Sequence, residues 1–345
     1  VGPAIRGRAS AEPGGAFAEF LRWAEARGAT AAPGLGVGVD PATGLRGLLA
    51  GEGAKEGDEL FSLPSGLVLT TELVQGEGVA WQQCAGSEDD ELLSPGHTAF
   101  ALFILEQRAA GAPFEPWTRV LPDSFPGHPL FFSARALDEL QASPLRKVVE
   151  LDRGSVEHDH RLAKAARPNL TLDEFQWART AVKSRVFGLK SLSGHRLASE
   201  VIAMVPLADF VNHPPDGVVE ANAAPSYDVD SGTFRFRAVR AIGKGQGIYW
   251  DYGFKSNRHS LLRYGFASQE RVALTDMPLF FRLTDFPATQ GASKGLKLDL
   301  VDAARRDGLL AMEDDGTVMH ELTLSLAGPD AGRLLGHMRF MVLEA

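Results

Sequence analysis

The stretch that decides the fold reads Val-Pro-Leu-Ala-Asp-Phe-Val-Asn-His-Pro over residues 205–214, and a second proline follows at position 215. This apolar run presents Asp209, Asn212 and His213 just before the two prolines end it. Because proline disfavours helical backbone in the residue before it, the segment cannot continue as a long helix. We predict a short buried segment whose polar side chains have partners, since an unpaired buried polar group costs roughly 1–3 kcal/mol. An ordinary buried turn and a socket for a zwitterionic ligand both fit this pattern, because the asparagine amide donates and accepts hydrogen bonds.

A second motif follows downstream. It reads Ile-Tyr-Trp-Asp-Tyr-Gly-Phe-Lys-Ser-Asn over residues 248–257, and Leu-Leu-Arg-Tyr-Gly-Phe follows over residues 261–266. The two motifs in this order resemble the SET domain, and within it the branch of the Rubisco large-subunit lysine methyltransferases. The resemblance implies an α+β fold: a SET domain of short strands with a helical insertion, followed by a partial α-helical C-terminal substrate-binding lobe.

Composition narrows the class of protein. The formal net charge of −9 argues against a nucleic-acid partner, which calls for a basic surface. Cys84 is the only cysteine, so the chain builds no internal disulfide and no cysteine-based zinc cluster, and we expect a reducing compartment and no metal. No stretch approaches the roughly 18 apolar residues that a membrane span needs, so we expect a soluble protein away from membranes.

The order of patterns along the chain predicts three parts. Residues 1–15 are rich in glycine, alanine and proline and are expected to be a disordered tail; residues 16–268 form the SET domain, with its insertion at about 75–195; residues 269–345 begin the helical lobe. Within these parts, alternation predicts a strand over 233–238, and we also expect one over 248–252. Helices are predicted over residues 16–27, 98–110, 133–141, 144–167, 171–187, 294–310 and 331–343, with loops directly after residue 266. His158 and His160 flank Asp159, and we predict a solvated helix face there.

The resemblance also implies which residues form the site. The cofactor, S-adenosylmethionine, would be bound by Leu45, Arg46, Gly47, Arg185, Asn212, His213 and Tyr252. The substrate lysine would be bound by Ser184, Arg185, Asp209, Tyr252 and Tyr264, with main-chain carbonyls of the first three receiving its amine. Tyr252 would be the catalytic residue, because its hydroxyl would orient the amine and the methyl group. Tyr227 is a weaker candidate for a second aromatic wall.

The predicted function is S-adenosylmethionine-dependent lysine methylation of a non-histone protein, since this chain lacks the cysteine-rich zinc segments that flank many histone-directed SET enzymes. Methylation of a histidine side chain is the alternative within enzymes. A catalytically idle SET-like module that only binds a partner is the alternative outside them. We expect a monomer in a soluble intracellular compartment, with the chloroplast stroma, the cytoplasm and the nucleus all open.

Overall fold

The structure is a computed structural model that describes residues 13–75, 95–141, 143–165, 167–197, 201–253, 256–268, 275–282, 311–312 and 317–324. The chain divides into two compact units. Residues 1–126 and 152–254 belong to the first unit, and residues 127–151 and 255–345 belong to the second. No described helix is both long enough and apolar enough to cross a membrane.

The main sheet of the first unit is antiparallel and four-stranded. Its order across the sheet is β1 (Thr30–Ala31), β4 (Glu59–Leu63), β9 (Thr233–Ala238) and β8 (Ala223–Asp228). The alternation predicted for β9 is confirmed, because its apolar residues are buried and its arginines lie on the opposite face. The core of this unit therefore lies on one face of the sheet.

Two smaller sheets complete the strands of the first unit. The hairpin β2 (Gly36–Val39) and β3 (Arg46–Leu49) forms one, and β5 (Leu69–Thr70), β7 (Ile202–Met204) and β6 (Val186–Gly188) form the other, with β7 in the middle. The strand predicted over residues 248–252 is not a regular strand. This part of the chain makes isolated bridges instead, pairing Tyr249 with Asn212 in parallel and Gly247 with Leu49.

Of the described helices that lie wholly in the first unit, the three longest lie where hydrophobic spacing predicts them, and three helices of four or five residues are not predicted by the sequence. In chain order these helices are α1 (Pro13–Glu25), α2 (Thr71–Gln75), α3 (Pro95–Gln107), α4 (Glu115–Thr118), α7 (Leu172–Lys183) and α8 (Leu189–Leu192). The predicted capping box of α7 is confirmed, since Thr171 and Glu174 each bond the other's backbone N–H. Helix α1 begins three residues earlier than predicted, so residues 13–15 are helical, and residues 1–12 lie outside the described part of the chain.

The second unit contains α5 (Ala134–Asp138), the start of α6 (Pro144–Ala163) and α9 (Asn257–Tyr264). It also contains a three-stranded antiparallel sheet in the order β10 (Thr275–Arg282), β12 (Thr317–Leu324), β11 (Ala311–Met312). The sequence predicts loops between residue 266 and the helix over 294–310, and β10 corrects that expectation over residues 275–282. The helices predicted over 294–310 and 331–343 lie outside the described residues.

Buried ion pairs join the helices of the insertion. Asp159 of α6 accepts a hydrogen bond from Thr98 at 2.6 Å, and the Arg179 guanidinium of α7 lies 3.8 Å from its carboxylate. Lys183 donates to Asp152 at 2.8 Å, and both side chains are buried. The solvated face predicted around Asp159 is therefore wrong at that residue, because its carboxylate faces α7 and α3 and finds cationic and hydroxyl partners there.

Candidate active site

A strained turn begins the stretch that decided the fold. Leu207 is fully buried and has φ 78° and ψ −50°, a γ-turn backbone conformation that residues other than glycine rarely adopt. A short 3-10 turn, Ala208–Phe210, follows, and the Asp209 N–H donates to the Val205 carbonyl at 3.1 Å. The strain sits directly before the polar residues, where the backbone turns sharply enough to present Asp209 and Asn212 from one short segment.

Asn212 joins three segments that are distant in sequence. The Asn212 side-chain amide nitrogen donates to the Arg46 carbonyl of β3 at 3.0 Å. The Asn212 main-chain carbonyl accepts a hydrogen bond from the Trp250 N–H at 3.0 Å. Gly47 makes this approach possible, because a Cβ placed there would lie 2.5 Å from the Asn212 Nδ2 atom. The predicted cofactor turn and the predicted socket are thus in direct contact.

Two arginine charges act on each other beside that contact. Partial burial and the nearby positive charge of Arg185 lower the pKa of Arg46, against the opposing effect of Asp123. The Arg185 guanidinium donates to the Asp209 carbonyl and lies 3.9 Å from the Asp209 carboxylate. Its buried Nε atom has no hydrogen-bond partner among the described residues. Two neighbouring guanidinium groups with an unmet buried donor favour an anion at this position.

The carboxyl group of Asp209 is completely buried. Burial raises its pKa to about 6, although the Arg185 charge and a hydrogen bond from Trp117 both lower it. The Trp117 indole donates to Oδ2 at 3.2 Å, while Oδ1 has no partner among the described residues. The predicted role of the Asp209 main-chain carbonyl stays a prediction; in this structure that carbonyl accepts from Arg185.

Tyr252 is held at both its backbone and its hydroxyl. The hydroxyl donates to the Val211 carbonyl at 2.9 Å, and the backbone N–H donates to His213 Nδ1 at 3.2 Å. The rings of His213 and Trp250 lie 5.3 and 5.1 Å from the Tyr252 ring. The Asn-His segment therefore positions Tyr252 directly, since Val211 and His213 flank Asn212.

Three further predicted residues have weaker structural connections. Ser184 follows α7, and its hydroxyl donates to the Thr180 carbonyl at 2.8 Å, so its oxygen can only accept a further hydrogen bond. Leu45 lies in the turn before β3 and is 40% exposed. Tyr264 ends α9 in the second unit, so its place in a lysine channel stays a prediction.

Sequence reasoning missed Trp117 as a site residue. It is fully buried, and its indole N–H reaches Asp209 from α4. A buried tryptophan usually finds an acceptor for its indole N–H, which is the only signal that could have marked it. Among the described residues no group of three or more histidine, cysteine, aspartate or glutamate side chains could hold a metal ion.

Comparison with known proteins places this geometry in a class. No known protein-family profile matches the chain. Its structure is similar to the SET domain of Rubisco large-subunit methyltransferase bound to lysine and S-adenosylhomocysteine, with a TM-score of 0.71 and 22% identity, covering 97% of this chain and 72% of that one. The same enzyme bound to S-adenosylmethionine gives 0.68 and 21%, covering 96% and 71%. The chain therefore has the SET-domain fold, and the predicted α+β class is confirmed.

Within that class, the solved structures are of Rubisco large-subunit methyltransferase, the branch that the two motifs predicted, and the curated relatives include a further SET-domain protein. SET domain-containing protein 4 of Mus musculus is 26% identical over 246 residues, covering 66% of this chain and 53% of the relative. Actin-histidine N-methyltransferase of Homo sapiens is 24% identical over 263 residues, covering 72% of this chain and 42% of the relative. The chain spans about half the length of the curated relatives it matches.

Proposed function

We propose that this chain is an S-adenosylmethionine-dependent protein-lysine N-methyltransferase that acts on a non-histone protein. The observation that carries the proposal is the hydrogen bond from the Asn212 amide to the Arg46 carbonyl, in the segment whose Val211 carbonyl holds Tyr252. The Arg185 charge acts on Arg46 beside it. The structurally similar methyltransferase structures have S-adenosylmethionine or its demethylated product bound.

The residues present fit that cofactor. Its amino-acid end carries a carboxylate, which a guanidinium fork binds through two parallel hydrogen bonds. The buried Nε of Arg185 is an unmet donor of that kind, and the Arg46 charge adds to the attraction. Asn212 supplies a neutral amide beside them. When bound, the cofactor supplies a methyl carbon on a positively charged sulfur, and an uncharged amine displaces that sulfur.

The protein must deliver the lysine amine uncharged and aligned. A free lysine has a pKa near 10.4, and burial beside a positive charge lowers it, so the amine can lose its proton without a strong base. Alignment alone contributes roughly 7–11 kcal/mol when the geometry is good. We assign no proton transfer to Asp209, because Trp117 and Arg185 already occupy the surroundings of its buried carboxylate.

Tyr252 has a role that follows from its hydrogen bond. Its hydroxyl proton is donated to the Val211 carbonyl, so any further hydrogen bond at its oxygen must be accepted from another group. An amine N–H is one such donor, and a methyl group bound to a cationic sulfur is a weaker C–H donor. Both would be oriented by the same oxygen, which is the arrangement that methyl transfer requires.

Lysine is favoured over histidine by the chemistry around Tyr252. The Trp250 ring packs between Tyr252 and Phe187, at 5.1 and 5.6 Å, so the neighbouring surface is aromatic. Such a surface suits the aliphatic stem of a lysine, whereas a histidine acceptor needs a polar partner for its second ring nitrogen. Histidine methylation is the second candidate, because several curated relatives carry that activity in their names.

Methyl transfer itself tests the proposal. The protein is incubated with methyl-labelled S-adenosylmethionine and a soluble protein extract, and the labelled protein is hydrolysed to amino acids. We expect label in N-ε-methyllysine, and at least about tenfold less of it with the Tyr252→Phe variant at matched time points. Label in methylhistidine would establish the second candidate. A protein that binds the cofactor yet transfers no label to any extract would be an idle binding module.

A further inference from the structure

A buried hydroxyl–carboxylate network fixes the turn between β2 and β3. The Tyr249 hydroxyl donates to the Asp40 carboxylate at 2.6 Å, and the Thr43 hydroxyl lies 2.7 Å from the same phenolic oxygen. Because the Tyr249 proton goes to Asp40, Thr43 must be the donor in the second bond. The Leu45 N–H in turn donates to the Thr43 hydroxyl at 3.2 Å. The network therefore extends from Tyr249 to the residue before Arg46.

Backbone hydrogen bonds to and from Asp40 close the turn. The Gly44 N–H donates to the Asp40 carbonyl at 2.8 Å, and the Asp40 N–H donates to the Leu45 carbonyl at 2.9 Å. Gly44 has φ 70°, a left-handed conformation that a turn of this kind needs. Tyr249 lies outside the turn, and its hydroxyl reaches both Asp40 and Thr43.

The other end of Tyr249 is anchored to the predicted socket. Its N–H donates to the Asn222 side chain at 2.8 Å, and its carbonyl accepts the Asn222 N–H at 3.0 Å. Its backbone pairs with Asn212 in a parallel bridge. Gly247 leaves room for the ring, since a Cβ there would lie within 2.5–2.7 Å of three Tyr249 ring and hydroxyl atoms.

We propose that Tyr249 is a positioning residue for cofactor binding: its backbone is fixed beside Asn212, and its hydroxyl holds the 40–45 turn so that Leu45, Arg46 and Gly47 meet that asparagine. The inference rests on the proposed function and adds a residue that touches none of the reacting atoms. Burial and the Asp40 carboxylate raise the pKa of Tyr249 to about 12, so the hydroxyl stays a donor across the physiological range.

The test separates positioning from general stability. Tyr249→Phe keeps the ring against Gly247 and removes only the hydroxyl. We expect the dissociation constant for S-adenosylmethionine, measured by calorimetry, to rise about tenfold, while the turnover rate at saturating cofactor stays within about threefold of the parent. Thr30→Val on β1 removes a hydroxyl whose partners are Ser62 and Glu59, outside the proposed site, and is the control, with parental affinity expected.

Coupling provides the second readout. Asp40→Ala removes the acceptor of the same bond, so its effect on cofactor affinity and that of Tyr249→Phe should overlap. The dissociation constant of the double variant should exceed that of the weaker-binding single variant by no more than about twofold. Thr43→Val, nearly isosteric, serves if Tyr249→Phe does not fold, with a rise of about threefold expected.

The outcomes separate this inference from the proposed function. Parental cofactor affinity in Tyr249→Phe, or in Thr43→Val where that variant is the one tested, would overturn the inference alone. So would fully additive losses in the double variant. Failure of the parent protein to bind the cofactor would overturn the proposed function, and the inference with it.

Discussion

Leu207 holds a backbone conformation that costs a leucine on the order of 1–3 kcal/mol, and it does so two residues before the buried Asp209. Strain of this kind persists only where the surroundings fix it, and here apolar packing and the Val205–Asp209 backbone bond do so. At this scale the site is a small group of residues held in costly states: a strained leucine, a buried carboxylate and two neighbouring arginines.

Asp209→Asn tests the buried carboxylate. Because the folded-state pKa of about 6 lies above the ordinary 3.8, the folded protein holds this proton more tightly, and the associated stability is present at low pH and lost as pH rises from about 4 to about 6. That shift corresponds to on the order of 3 kcal/mol. Urea unfolding should show the variant gaining about that much relative to the parent between pH 4 and pH 7. A difference that stays constant across this range would contradict the assignment.

Tyr252→Phe tests the hydroxyl that donates to Val211. An interaction made mainly in the transition state lowers turnover and leaves ligand affinity nearly unchanged. We expect activity to fall at least about tenfold, equivalent to about 1.4 kcal/mol of barrier. Cofactor affinity should stay within about threefold by calorimetry. A folded variant that binds the cofactor and methylates at the parental rate would show that Tyr252 is only a core aromatic.

At the scale of elements, the site depends on how closely β3 approaches the Asn-His segment, and the insertion depends on ion pairs between its helices. The first contact has no space for a side chain at Gly47. The second buries Asp159, Arg179 and Thr98 together, where an unpaired charge would be costly. The first contact joins Asn212 to Arg46 across 166 positions, and the second joins Asp159 to Thr98 across 61, so changes to them test packing between elements.

Gly47→Ala should displace the Asn212 amide from β3, because its Cβ would lie 2.5 Å from Nδ2. We expect cofactor affinity to fall at least about tenfold, as in Asn212→Ala, since a hydrogen bond to a charged group is worth roughly 1.5–3 kcal/mol. The Gly47→Ala, Asn212→Ala double variant should bind the cofactor no more weakly than the weaker-binding of the two single variants. Gly66→Ala, with no atom within 4 Å of its added Cβ, is the control. Unchanged affinity in Gly47→Ala would count against the socket.

Asp159→Ala should destabilise the helical insertion by roughly 3–5 kcal/mol, because it leaves the buried Arg179 charge without its carboxylate partner. Asp138→Ala removes the partner of Arg146 in a pair whose side chains are 70% and 41% exposed, and should cost less than about 1 kcal/mol. Urea unfolding measures both. Equal small losses would mean that the Asp159 pair is no stronger than a surface pair.

At the scale of the whole molecule, local patterns predicted local structure well. The alternation of β9, the capping box of α7 and the two motifs of the site could all be inferred from sequence, because each depends on residues close together in the chain. The same reasoning failed where a partner is distant. The sequence predicts a solvated Asp159, because its partners lie on α7 and α3 and no local pattern indicates them. The bridges at residues 247–249 likewise depend on β3 and Asn212, and not on the strand propensity of residues 247–249 themselves.

The candidate site shows the same division. Asn212, His213 and Tyr252 could be chosen from their motifs, whereas Trp117 and the Asp40–Tyr249 bond could not, since nothing near them in sequence indicates the contact. Arg46 and Arg185 are 139 positions apart in sequence, and only the fold brings their charges close enough to interact. The predicted monomer and the predicted absence of a nucleic-acid partner stay predictions.

A structure of the protein with S-adenosylhomocysteine bound would test the central claim most directly. The account predicts that the ligand carboxylate lies within hydrogen-bond distance of the Arg185 or Arg46 guanidinium, with the Asn212 amide contacting the same ligand and its sulfur facing Tyr252. A ligand bound away from these residues, with Asn212 and Arg185 keeping only their present partners, would contradict it.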